Sequence, residues 1–247
     1  MKKIIFVLLL AVVVVVGGSL VWSITNLFSG ESNAAVNEVK SFNGNSIAEI
    51  DASTDVGDIT IEESADDEIH VELKGDLSRD EAGDLKFGVE DDDGTLHVTV
   101  SHDNEVSSIF SLFSFGSKFA GDVNLEIQLP KKEFDSIRLA SNVGDIEVNE
   151  AAGPLDIETE VGEIRVTADT IVEDIAIHSN VGDVEFKVNE VPANVTIDLR
   201  TDVGDASTEQ VNGMQRASGR EVMQELGEGG PTLKIATQVG EIDVKQQ

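Results

Sequence analysis

The sequence predicts an all-β domain built from a solenoid-like stack of short strands, and three observations carry that reading. An eight-residue unit, Ser141-Asn142-Val143-Gly144-Asp145-Ile146-Glu147-Val148, recurs at Thr54–Ile61, Thr159–Val166, Ser179–Phe186, Thr201–Thr208 and Thr237–Val244. Apolar and polar residues alternate through each copy, as in a strand with one face turned inward. The valines of the unit from Val143 to Val203 are 18, 20 and 22 residues apart. Periods of that size belong to solenoids, whose coils hide their apolar faces only against one another.

The chain of 247 residues opens with Lys2 and Lys3, followed by Ile4–Ile24, an uncharged run interrupted only by Gly17, Gly18, Ser19 and Ser23. As a helix this run would be about 31 Å long, which matches a hydrocarbon core of about 30 Å. The two lysines, with no further Lys or Arg before Lys40, favour a cytoplasmic start and an outward course. Residues 4–24 are therefore expected as a single-pass transmembrane helix, with Trp22 as an interfacial aromatic. A cleaved signal peptide ending near Val16-Gly17-Gly18 is the competing reading. Residues 25–42 read as a polar stalk, and 43–247 as an extracytoplasmic β-repeat domain.

Within that domain the repeat follows a twelve-position pattern. Aliphatics stand at positions 1 and 3, Ser or Thr at 5, Val at 7, Gly at 8, an acid at 9, and mostly aliphatics at 10 and 12. Ile137, Leu139, Ser141, Val143, Gly144, Asp145, Ile146 and Val148 fill it. Positions 1, 3, 5 and 7 share a strand face, so the hydroxyl and the Val are both expected to point inward. The shift of one residue after the Gly predicts a corner between two strands of one coil.

Two stretches interrupt the repeat. Between Val56 and Val143, Glu68–Lys74, Leu85–Val89, Thr95–Ser101 and Asp122–Leu129 alternate as strands, and Asp91-Asp92-Asp93-Gly94 reads as a hairpin turn. This gap contains an insertion at 101–121. A second insertion, 213–231, carries the one helical candidate, Arg220–Leu226.

With 17 basic against 48 acidic residues the net charge is −31, which argues against nucleic acid as a partner. The chain has no Cys, so neither disulfides nor thiolate metal sites enter. If the coils stack in register, Asp145, Glu163, Asp183 and Asp205 form a ladder about 4.8 Å apart. These acids are either solvated or capping groups, or weak calcium ligands, although one acid per corner supplies few oxygens for a six- to eight-coordinate ion. No other cofactor is expected. The hydroxyls at position 5 have no base at a fixed offset, so they read as inward ladders and not as nucleophiles. Polysaccharide cleavage would use carboxylate pairs, but 43–247 contains no Tyr or Trp to form a sugar platform. The Phe/Ser-rich segment Ser107–Phe119, with Phe110, Phe113, Phe115 and Phe119, either seals one end of the stack or offers an apolar patch to a partner.

That segment, the strand ending Leu129-Pro130-Lys131-Lys132, and Phe134-Asp135-Ser136-Ile137 leading into Ser141–Val148 together resemble a known family. It is the putative-adhesin, domain-of-unknown-function β-repeat proteins of bacterial cell envelopes, which include the membrane-anchored protein of the Lia envelope-stress system. The resemblance covers roughly Phe42–Val244 and implies an outward-facing β-solenoid-like domain with no established enzymatic activity. The expectation is a non-enzymatic, membrane-anchored envelope protein that binds or scaffolds an envelope protein or polymer, in envelope-stress response. The alternatives are a calcium-dependent adhesion module and a polysaccharide-active enzyme. The expected location is the cell membrane, N-terminus cytoplasmic and C-terminal domain extracellular.

Overall fold

A computed structural model describes residues 11–16, 19–24, 33–78, 84–102, 123–209, 211 and 216–247. In chain order its strands are β1 (Ala11–Val16), β2 (Ser19–Ile24), β3 (Asn33–Asn43), β4 (Glu49–Val56), β5 (Asp58–Glu63), β6 (Glu68–Ser78) and β7 (Leu85–Asp92). There follow β8 (Thr95–His102), β9 (Val123–Leu129), β10 (Ser136–Val143), β11 (Ile146–Asn149), β12 (Leu155–Val161), β13 (Ile164–Thr170) and β14 (Ile175–Val181). The last are β15 (Val184–Glu190), β16 (Val195–Val203), β17 (Ala206–Glu209), β18 (Ala217–Gly219), β19 (Glu221–Leu226), β20 (Thr232–Val239) and β21 (Ile242–Gln246). The all-β expectation holds.

Each copy of the repeat folds as one rung: a strand in one sheet, a corner at the Gly, and a strand in the other. One sheet contains the run β4, β10, β12, β14, β20, β16, and the other the run β5, β11, β13, β15, β21, β17. All of these neighbours are parallel and in register, so Ile157 lies beside Leu139 on one side and Ile177 on the other. Positions 1, 3, 10 and 12 fill the space between the sheets, where Ile157, Ile177, Leu199, Ile235, Ile164 and Ile242 are buried. Each such aliphatic stabilises the fold by about 1.5–3 kcal/mol relative to exposure.

The rungs do not follow chain order throughout. The last repeat of the chain, β20–β21, lies between β14–β15 and β16–β17. The expected acid ladder is corrected accordingly: Glu241 separates Asp183 from Asp205, and Asp58 precedes Asp145.

Antiparallel strands close both ends. At one, β8 and β9 add a further parallel rung beside β4 and β5, with β7 antiparallel to β8 and β6 antiparallel to β9. Residues 103–122 therefore connect two strands of a rung where other rungs have the Val-Gly-acid corner. The Phe/Ser segment, with Phe110, Phe113, Phe115 and Phe119, lies outside the described residues. At the other end β18 pairs with β17 and β19 with β16, both antiparallel. The helix expected at Arg220–Leu226 is a strand: Val222 is buried and Met223 exposed, the alternation of an edge strand laid on the last rung.

The N-terminal region also departs from expectation. Residues 33–42 of the expected stalk form most of β3, paired with β6 along its length from Asn33–Ser78 to Asn43–Glu68, with Phe42 in the core. Within the run expected as a transmembrane helix, β1 and β2 form an antiparallel hairpin. Valines are stiff at χ1 and favour extended backbone, which suits Val12–Val16 to a strand. The remainder of residues 4–24, and 25–32, lie outside the described residues. Among the described residues no helix is long and apolar enough to cross a membrane.

Candidate functional site

The repeated corner is where the chain concentrates its distinctive residues, and its geometry assigns each of them. The corner glycines, Gly57, Gly144, Gly162, Gly182, Gly240 and Gly204, have φ between +140° and +157°, a region L-residues with a Cβ rarely enter. They also stack directly: a Cβ on Gly182 would lie 1.9 Å from the Gly162 carbonyl oxygen, and one on Gly240 2.0 Å from that of Gly182. Only glycine satisfies both conditions.

Close stacking leaves the glycine carbonyls to be satisfied, and the position-5 hydroxyls do this. Ser141 Oγ donates to the Gly57 oxygen at 3.4 Å, Thr159 to Gly144 at 3.4 Å, Thr237 to Gly182 at 3.2 Å and Thr201 to Gly240 at 2.9 Å. The hydroxyls point inward as expected. Among the described residues, Thr54 Oγ1 and Ser179 Oγ are buried without a hydrogen-bond partner.

The acids have a structural task too. Asp58 Oδ1 accepts the Asp145 N–H, Asp145 Oδ1 accepts the Glu163 N–H, and Asp183 Oδ1 accepts the Glu241 N–H, each at 2.8 Å. An Asp at position 9 thus caps the next rung. Arg165 pairs with Asp145 at 3.7 Å and, more closely, with Glu163. None of the calcium candidates, Asp145, Glu163, Asp183 and Asp205, belongs to a convergent ligand group. Among the described residues such a group forms at Asp66, Glu68 and His70, with ligand atoms within 4.8 Å of one another. There, Asp66 Oδ1 already lies within hydrogen-bond distance of the Glu68 N–H (2.9 Å) and of His70 Nε2 (3.0 Å). The Glu68 N–H, then His70, hold the Asp66 carboxyl below its ordinary range.

The valines at position 7 are the main correction. The kink at the corner turns them outward, so Val181, Val239 and Val203 are 47%, 46% and 58% exposed. With Val56, Val143 and Val161 they form an apolar line along the outer corner. Beside it runs a polar ladder that the twelve-position pattern leaves unassigned, at position 6. Asn142 Nδ2 donates to Asp55 at 3.4 Å, Asn180 Nδ2 to Glu160 at 2.8 Å, and Gln238 Nε2 to Asn180 at 2.7 Å. In rung order the ladder reads Asp55, Asn142, Glu160, Asn180, Gln238 and Asp202, so no carboxylate stacks on another carboxylate. Comparing position 6 across the six copies is the signal that finds it.

The outer sheet surface carries short ion-paired clusters. Lys74 lies 2.9 Å from both Glu72 and Glu126; Lys74 holds the Glu126 carboxyl below its usual range, and Glu126 raises Lys74. Glu185 is lowered by Lys187 and then Lys245. A small cavity of about 130 Å³ lies by the loops at the other end of the strands, against Pro130, Phe134 and Val172. Lys132 beside it bonds the Ile47 carbonyl and sits 4.6 Å over the Phe134 ring, and burial lowers its pKa.

A cell adhesion protein from Clostridium sporogenes, so described as putative, superposes with a TM-score of 0.64 at 17% identity, over 86% of this chain and all of that one. A second structure, described as a putative adhesin from Bacteroides fragilis, aligns at 16% identity over 86% of this chain and 97% of that one, with a TM-score of 0.33. No curated protein matches the chain. The Toastrack DUF4097 family model matches twice, at residues 47–153 and 133–245, so nearly every rung described above falls within it. The chain belongs to the Toastrack DUF4097 family.

Proposed function

We propose that this is a non-enzymatic cell-envelope protein, anchored in the membrane through residues 4–24, whose outward-facing acidic β-repeat domain binds or scaffolds an envelope protein or polymer. The observation that supports a contact role is the division of labour at the corner. Four of the six repeated hydroxyls and the Asp58, Asp145 and Asp183 carboxylates hold rung to rung, while Val161, Val181, Val203 and Val239 are exposed with the polar ladder beside them. The phenylalanines Phe110, Phe113, Phe115 and Phe119 of the apolar, serine-interleaved segment Ser107–Phe119 are a further partner contact in this proposal. The anchor is supported by the sequence alone, an uncharged run behind two lysines that as a helix would match a hydrocarbon core, and the description of the C. sporogenes neighbour accords with an extracellular role. A role in envelope stress is the narrowest form of the proposal.

Protease treatment of intact cells tests the topology: the β domain should be digested while a short membrane-bound fragment survives, and protection of the domain would contradict the proposal. Pull-downs from envelope membranes with and without Ser107–Phe119 test the contact edge. Loss of specific partners in the deletion supports it, and retention of all of them counts against it. Calcium added to the protein should leave its melting temperature unchanged; a clear rise would favour a calcium-dependent adhesion module.

A further inference from the structure

The order of the rungs carries an inference that stands on topology alone and is independent of the binding role. After β15 the chain skips one rung position and lays down β16–β17 two strand spacings away, about 9.6 Å. This leaves a slot edged by β14 and β15 on one side and by β16 and β17 on the other. The chain then closes the far edges with β18 and β19, returns through residues 227–231, and fills the slot with β20–β21. The return passes around the β15–β16 turn: the Glu228 N–H donates to Asn194 Oδ1 at 3.1 Å, and a Cβ on Gly230 would lie 2.5 Å from the Asn194 carbonyl oxygen. The connections 191–194 and 227–231 therefore cross at one end of the stack, an arrangement that chains generally avoid.

We infer that residues 232–246 form an exchangeable rung, and that a second copy of this chain supplies it in a reciprocally swapped dimer. A slot edged by four strands with unpaired backbone groups accepts any segment presenting the matching pattern. The best match is Leu233, Ile235, Thr237, Val239, Gly240 and Ile242, from the same molecule or from another. Every rung-to-rung contact is the same in both cases, including the Gly182 N–H to Val239 oxygen bond at 2.9 Å and the Gly240 N–H to Val203 oxygen bond at 3.0 Å. Only the hinge differs. Its sequence, Gly227-Glu228-Gly229-Gly230-Pro231, has Gly227, Gly229 and Gly230 at φ of +77°, +91° and +153°, and Gly229 has open space around it. Exchange of an identical element across such a hinge is a low-cost route to a dimer, and protein concentration sets its extent.

The chain has no cysteine, so single thiols can be placed without background. Ala176 and Lys234 are register partners on exposed positions of β14 and β20. Full-length A176C and K234C proteins are mixed, unfolded together, refolded in detergent at increasing concentration, and treated with a short bifunctional thiol cross-linker. A heterodimer linked between 176 and 234, several-fold above a control mixture of R138C and K234C and rising with concentration, is the expected result. Yields no higher than the control overturn the inference. Light scattering on the unsubstituted chain refolded the same way gives a second reading. A dimer that persists on dilution is expected, and a monomer at every concentration contradicts exchange.

Discussion

Two halves of the stack use the same corner in different ways. From β10 to β15 the rungs follow chain order, while from β16 to β21 the last repeat lies inside its predecessor. The corner geometry does not change: Gly144 and Gly162 donate to the next Val oxygen at 3.0 Å each, and Gly182 and Gly240 do so at 2.9 and 3.0 Å. The repeat therefore encodes the fit of one rung on another and leaves their order open. Connection length leaves it open too, since four residues at 171–174 lead to the adjacent rung and four at 191–194 skip one.

Substitutions matched across the two halves can break that comparison. Ile157→Ala and Ile235→Ala remove buried side chains at the same position of a chain-order and an out-of-order rung. Each should lower stability by about 2–5 kcal/mol in chemical denaturation. A negligible effect of Ile235→Ala alone would place the last repeat outside the stack. Gly162→Ala and Gly240→Ala should each cost about 3 kcal/mol, since the added Cβ meets a carbonyl oxygen at 2.0 Å in both. Gly229→Ala, with a positive φ but open space, should cost only about 1 kcal/mol.

Smaller effects sharpen the roles within a corner. Thr201→Val removes the hydroxyl that satisfies the Gly240 carbonyl and should destabilise by about 1–2 kcal/mol. Asp183→Ala frees the Glu241 N–H and should cost about 0.5–1 kcal/mol, whereas Asp205→Ala, at the end of the ladder, should be near neutral. Acid dependence should be the mildest. Asp66, Glu126 and Glu185 are held below their ordinary values, so their contribution is complete above about pH 4.5 and is lost as pH falls through the lowered values. Relief of the −31 charge runs the other way as the carboxylates protonate. Glu126→Gln with Glu185→Gln should flatten the acid limb of a melting-temperature profile; an unchanged limb would contradict their role.

The rungs were legible in the sequence because a stacked corner imposes local demands: glycine for the positive φ, a hydroxyl for the glycine oxygen, alternating aliphatics for the core. Three features were not. The outward turn of Val181, Val203 and Val239 depends on the kink itself, which moves position 7 off the face of positions 1, 3 and 5. The strand at Glu221–Leu226 is made by pairing with β16, since Val222, Met223 and Leu226 suit one helix face equally well. The place of Thr232–Gln246 is hidden because its repeat is as good a neighbour for β14 as for β16. Asp183, Glu241 and Asp205 therefore align only once the strand order is known.

The most direct test of that order is a cross-linking comparison within one molecule. Lys234 is in register with both Ala176 and Asp198. If the last repeat separates their rungs, an A176C/K234C double variant should be joined efficiently by a short thiol cross-linker, and A176C/D198C should not. Efficient joining of 176 to 198, with none of 176 to 234, would mean that the rungs follow chain order and would contradict the account.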